Sequence, residues 1–179
     1  MPAPRFLLKT DLAAVQPVLH QGRPAHASHD RLVELLRNRG AAAAARLFAE
    51  PVSGAGAVSW YGEGTGEPQP LPVLSAARRA EAEAVLARQL RVVEGLLDDA
   101  ELGPLLRRAL VMPGPEAVIA LDDAVVLTGW GLAPKDIAAD DAALAAHVRR
   151  VLGPYSPRMA AADDAFLRSE EHTSELQSP

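Results

Sequence analysis

The chain has 179 residues, 49% of them hydrophobic, 23% charged and 4% aromatic, and it has no cysteine. That length gives one domain, or one domain and a tail, and the hydrophobic share is too high for wholesale disorder. With 18 Lys and Arg against 23 Asp and Glu the net charge is −5, which argues against a general binder of nucleic acid or anionic membrane; the missing thiols exclude disulfide scaffolds, cysteine-ligated metal sites and thiol nucleophiles.

Residues 6–19 open with Phe6-Leu7-Leu8 and carry Pro17; they read as a short strand or an irregular lead-in. Ser28 or Asp30 is placed to cap a helix starting near Arg31. Leu32, Leu35, Leu36, Leu47 and Phe48 recur at helical spacing, Gly40 bends or divides this helix, and Pro51 ends it. Ala57–Tyr61 is β-branched and aromatic and leads into Gly62, Gly64 and Gly66, a strand followed by a loose turn. Gln69–Leu74 is its expected partner, at an edge because Pro70 and Pro72 cannot donate ladder bonds.

Ser75 then caps the strongest helix. Ala82, Leu86, Leu90, Val93 and Leu97 fall on one face, with Arg78, Glu81, Arg88 and Arg91 opposite. Gly103-Pro104 separates it from a short helical segment, Leu105–Val111. Ala117–Leu121 and Ala124–Trp130 form a hairpin around Asp122-Asp123. A helix near Asp141–Leu152 follows, and 153–157 reads as linker.

The sum is an α+β fold: a small antiparallel sheet packed against a long amphipathic helix, with additional helices. The expected organisation is an α+β domain at 1–133 and a helical or linker segment at 134–167. The remaining stretch, 168–179, resembles the in-frame translation of a common sequencing adapter from Arg168 to Ser178, where an Ala- and Arg-rich chain turns into a polar run without alanine. It is read as an artefactual tail, with the natural frame cut near Leu167 and the chain as the N-terminal piece of a longer protein. No apolar stretch approaches the ~20 residues of a bilayer span, and the N-terminus has no secretory signal pattern, so the fragment is expected in the cytoplasm.

Candidate chemistry is sparse. Gly62, Gly64 and Gly66 lead into prolines rather than a helix, which favours a turn over a phosphate loop. His20, His26 and His29 are the conspicuous metal-type cluster, and only His26 and His29 are spaced to approach one another. Surface histidines are the commoner explanation; the alternative is a small metal-dependent hydrolase using His26 and His29. The pairs Asp98-Asp99, Asp122-Asp123, Asp140-Asp141 and Asp163-Asp164 read as solvated carboxylates, and Arg107-Arg108 and Arg149-Arg150 as solvated helix faces. No cofactor is indicated. Trp60, Tyr61 and Trp130 stand at strand ends in an aromatic-poor chain. They are either anchors of the sheet against the long helix or an exposed platform for a partner, and the alternation Val126-x-Thr128-x-Trp130 favours anchoring.

Val58-Ser59-Trp60-Tyr61, the long helix, Ala109-Leu110-Val111-Met112-Pro113 and Val125–Gly131 together resemble the N-terminal region of the SrfA family of bacterial virulence-associated proteins. The likeness spans roughly residues 15–133. Ala124, Gly129 and Asp123 stand where that family has proline, phenylalanine and glycine. The resemblance implies a longer protein with a proline-rich linker, a membrane span and a C-terminal domain beyond this region, and it supplies no catalytic residues. The function expected from these readings is a non-catalytic N-terminal domain, partner-binding or structural, of an envelope- or virulence-associated protein, with a protein as its partner.

Overall fold

A computed structural model of the chain describes residues 3–167; the adapter-like stretch 168–179 lies outside the described residues. The α+β class holds, with antiparallel pairing in every named ladder, but the strands divide among four small sheets rather than one. The largest has the order β1 (Arg5–Asp11), β6 (Ala57–Gly62), β5 (Glu50–Gly54). The lead-in is therefore a full strand. Its partner is β6, from Arg5 opposite Gly62 to Asp11 opposite Ala57, with a bulge between Phe6 and Leu8.

Strand β6 thus pairs with β1 and β5, not with 69–74. The β5–β6 hairpin closes through Ala55 and Gly56 at φ 53° and 75°. Positive φ at both central residues matches the right-handed twist of the strands, and alanine in that role gives little sequence signal. Helix α1 (His29–Asn38) begins after Ser28, whose hydroxyl makes no cap bond. Gly40 at φ 74° divides it from α2 (Ala42–Ala45). Pro51 lies inside edge strand β5 rather than at a helix end, where a missing N–H is tolerated.

In place of the expected partner strand, Gln69–Pro70 (β7) forms the edge of a second sheet with β8 (Val118–Ala120) and β9 (Val125–Leu127). The 118–127 hairpin turns at Asp122-Asp123 as expected, closed by the Leu121 amide on the Ala124 carbonyl at 2.8 Å. A parallel bridge from Phe48 to Leu127 joins the 47–49 segment to β9. Short ladders pair β3 (Leu19–His20) with β4 (Arg23–Pro24), and β2 (Val15–Pro17) with β10 (Leu132–Pro134).

Helix α3 (Ala76–Glu94) is the longest. The Ser75 side chain accepts from the Arg78 amide, and Ala82, Leu86, Leu90 and Val93 are buried. Each fully buried Leu or Val contributes about 1.5–3 kcal/mol. The buried stripe is narrow: Ala76, Ala77, Ala80 and Val92 are exposed, so the two faces contrast only weakly. Helix α4 is Leu102–Ala109 and includes Gly103 and Pro104. The expected break at that dipeptide falls earlier, because first-turn amides lack intrahelical acceptors and proline costs little there.

Helix α5 (Asp141–Leu152) starts on an Asp140 cap that accepts from the Ala142 and Ala143 amides. The expected linker 153–157 is a structured corner instead. Gly153–Tyr155 forms a 3-10 turn, and Ser156 caps α6 (Pro157–Ala160) while donating to Glu94 Oε1 at 2.6 Å. Leu144, Val148, Leu152, Met159 and Phe166 belong to the same core cluster as Leu7 and Trp60. Among the described residues no helix is long and apolar enough to cross a membrane.

Candidate functional site

The two indoles lie in the interior. Trp60 and Trp130 have no exposed surface, and their ring centroids are 5.8 Å apart. Trp60 Nε1 donates to Thr10 Oγ1 at 2.9 Å, and Trp130 Nε1 donates to the Ala49 carbonyl at 2.8 Å. Strand β9 ends at Leu127, so Trp130 sits in a turn between Gly129 and Gly131, at φ 65° and 80°, and not on a strand. Their aromatic neighbours are not on α3: His26 lies against Trp60, and His29 and Phe48 against Trp130, at 5.7–6.1 Å. Tyr61 points outward, half-buried, edge-on to Phe6 at 5.9 Å.

His26 and His29 therefore serve packing more than ligation. His26 is buried and its Nδ1 has no hydrogen-bond partner. Burial pushes its pKa below 6.5, and that of His29 as well, although Glu50, Asp30 and the Phe48 backbone pull His29 partly back. Neutral imidazoles beside indole faces are the result. Among the described residues no three His, Cys, Asp or Glu side chains converge to hold a metal ion, so the hydrolase alternative lacks a third ligand there. His147, buried in α5, meets the Met112 carbonyl through Nε2 and the Arg150 guanidinium through Nδ1, both at 2.6 Å. A guanidinium only donates and a carbonyl only accepts, which fixes the neutral tautomer with hydrogen on Nε2.

The charged pairs are structural in ways their spacing hides. Asp99 accepts from Arg39 and from the Glu101 and Leu102 amides, and the Arg39 bond foremost draws its pKa down to about 2. Asp98 binds Arg107 and Arg158. Asp123 accepts the Thr65 amide at 2.8 Å, so the glycine loop already holds an anion, and it belongs to this chain. Of the arginine pairs, Arg149-Arg150 is exposed as expected, but Arg107-Arg108 is not a solvated face. Arg108 is 7% exposed and donates to the carbonyls of Leu19, Pro104 and Leu167. Arg107 reaches the Leu97 and Phe166 carbonyls, and Arg149 the Ala162 carbonyl. These bonds tie the 160–167 segment to the body.

Two of the concavities among the described residues bear on function. The larger, about 720 Å³, adjoins Leu167 and is lined by Asp140, Asp141 and Asp164, and among the described residues its one cation is the carbonyl-bound Arg108. The smaller, about 360 Å³, opens between α1, α2 and the β5–β6 hairpin. Its floor is apolar, with Val33, Ala45 and Phe48. Around it stand His29, Arg37, Arg46, Glu50, Tyr61 and Glu63, and Tyr61 connects it to exposed Phe6. Of the candidate site residues singled out by sequence, this site collects His29, Tyr61 and Gly62, with Trp130 behind its wall. Arg37, Glu50 and Phe48 carried no functional signal, because each comes from a different segment. No protein-family model, curated protein or solved structure matches the chain.

Proposed function

We propose that this domain binds a protein partner rather than catalysing a reaction, through the outer face of the β1–β6–β5 sheet and the pocket beside it. One observation carries the reading. In a chain with three Phe and two Tyr, Phe6 is 52% exposed and Val52 49% exposed; Phe6 pairs directly with half-buried Tyr61, which lines the 360 Å³ pocket, and Val52 lies further along the sheet, opposite Ser59. Scattered exposed apolar residues are ordinary; an aromatic pair continuous with a pocket is the pattern of a recognition surface. The wider setting, a cytoplasmic domain of a bacterial envelope- or virulence-associated protein, rests on the SrfA-like motifs.

The test uses two residues of matched exposure. Val52 on β5 and Val92 on α3 are each 49% exposed. With a photo-crosslinking benzoylphenylalanine at either site in bacteria, position 52 gives a discrete adduct with another protein and position 92 does not. Equal labelling at both sites refutes the proposed face.

A further inference from the structure

We infer that the pocket between α1 and β5 receives an extended partner segment in which an acidic and a basic side chain flank one large apolar residue. The inference rests on the partner-binding reading and specifies its chemistry. A volume of about 360 Å³ suits one or two side chains, at the low end of small-molecule sites. The floor of Val33, Ala45 and Phe48 takes the apolar residue.

The rim decides the flanks. Arg46 and Glu63 neutralise one another, Nε to Oε2 at 3.6 Å. Arg37 on α1 and Glu50 on β5 are exposed, and neither forms an ion pair with another Lys, Arg, Asp or Glu among the described residues. The charge of Glu50 acts on the imidazole of His29, whose burial favours the neutral form. The site thus presents one open cation from α1 and one open carboxylate from β5 around an apolar floor. A uniformly acidic or uniformly basic ligand satisfies one and is repelled by the other; a ligand carrying both signs satisfies both. Two features argue against a strand added to the β5 edge. Pro51 removes an amide from that edge, and the pocket lies toward α1 rather than along the ladder.

The chain has two Trp, so its two indole N–H resonances resolve the question by titration. Trp130 packs on the pocket residues His29 and Phe48; Trp60 packs on neither. The probes are blocked pentapeptides with cores Glu-Phe-Lys, Lys-Phe-Glu, Glu-Phe-Glu, Lys-Phe-Lys and Glu-Ala-Lys, each flanked by Gly. One of the two mixed-charge Phe peptides moves the Trp130 signal more than the Trp60 signal and binds about fivefold tighter than either uniform peptide, the effect of one exposed ion pair. The alanine peptide does not bind measurably. Arg37→Glu shifts the preference to the Lys-Phe-Lys core and Glu50→Lys shifts it to Glu-Phe-Glu, with the Trp60 resonance unmoved as the sign of an intact fold. A Trp130 signal that no peptide moves, or a preference unchanged in both variants, overturns the inference. If the position-52 crosslink forms while the peptides fail, the partner reading stands and the charge pattern alone is wrong.

Discussion

Replacing each indole by phenylalanine separates packing from hydrogen bonding in the core. Both rings are fully buried, so Trp60→Phe and Trp130→Phe lose comparable apolar contact, about 1–3 kcal/mol for a partial large-to-small change. They differ in the group left behind. The acceptor for Trp130 is the carbonyl of Ala49, a residue 1% exposed, and the Ala49 amide is already engaged with the Leu127 carbonyl. Without the indole that carbonyl is orphaned away from water, at about 1–3 kcal/mol. The acceptor for Trp60 is the Thr10 hydroxyl on half-buried β1, which can rotate toward solvent and loses only about 0.5–1 kcal/mol. Trp130→Phe is therefore expected to cost about 1–2 kcal/mol more than Trp60→Phe, a large fraction of the 5–15 kcal/mol typical of a domain. Urea denaturation followed by far-UV circular dichroism measures the difference without relying on the fluorophore being removed. Equal losses, or a larger loss for Trp60→Phe, refute the assignment of the Ala49 bond as a structural one.

Three further outcomes follow from the same structure. Gly103→Ala raises helix propensity by about 1 kcal/mol, but a Cβ at that position runs into the main-chain carbonyl of Leu97, so calorimetry is expected to show a lower Tm; an increase shows that the α3–α4 corner yields easily. Asp140→Ala removes a cap accepting two amides and costs about 1 kcal/mol in urea denaturation, whereas Ser28→Ala, whose hydroxyl caps nothing, stays within a few tenths. Burial lowers the His26 and His29 pKa values below 6.5, so the unfolded chain binds more protons than the folded one as pH falls below 6.5 and stability drops through that window. The aspartates Asp98, Asp99 and Asp123, lowered from 3.8, add stability that is present above pH 3.8 and lost below it. A His26→Phe, His29→Gln double variant is expected to flatten the stability profile between pH 5 and 6.5 while keeping the acid limb; an unchanged slope there refutes the burial argument.

Local signals were sufficient wherever a single element carried its own marker. The Leu86, Leu90, Val93 stripe and the Ser75 cap gave α3, the Asp140 region gave α5, and the apolar runs around Asp122-Asp123 gave the β8–β9 hairpin. Pairing across distance was not legible. Strand β6 finds β1 at a separation of about fifty residues, and nothing in Ala57–Tyr61 distinguishes that partner from the nearer Gln69–Leu74. The β5–β6 hairpin was hidden by Ala55, and the β3–β4 turn by Gln21 at φ 53°, both non-glycine residues in a left-handed conformation. The Arg107-Arg108 pair misled for a different reason. A guanidinium that reaches several carbonyls looks, in sequence, the same as one in water, and the returning 153–167 segment helps to make Arg107 half-buried and Arg108 buried by supplying the Phe166 and Leu167 carbonyls.

The placement of Pro51 bears on how a partner can engage the sheet. A two-residue turn makes Gly54 and Ala57 a hydrogen-bonded pair, and alternation along the antiparallel ladder then directs the main-chain groups of Pro51 and Ser53 away from β6. One of the outward donors is thus absent by virtue of the residue type, which blunts the edge against strand addition. The opposite edge, β1, carries a bulge at Phe6/Leu8 and the charged Lys9, two further devices with the same effect. Both edges of the sheet discourage ladder formation while its outer face leaves Phe6, Tyr61 and Val52 accessible. Under the proposed reading, recognition through that face is a matter of side-chain packing and charge, carried by the few residues around the α1–β5 pocket rather than by the backbone.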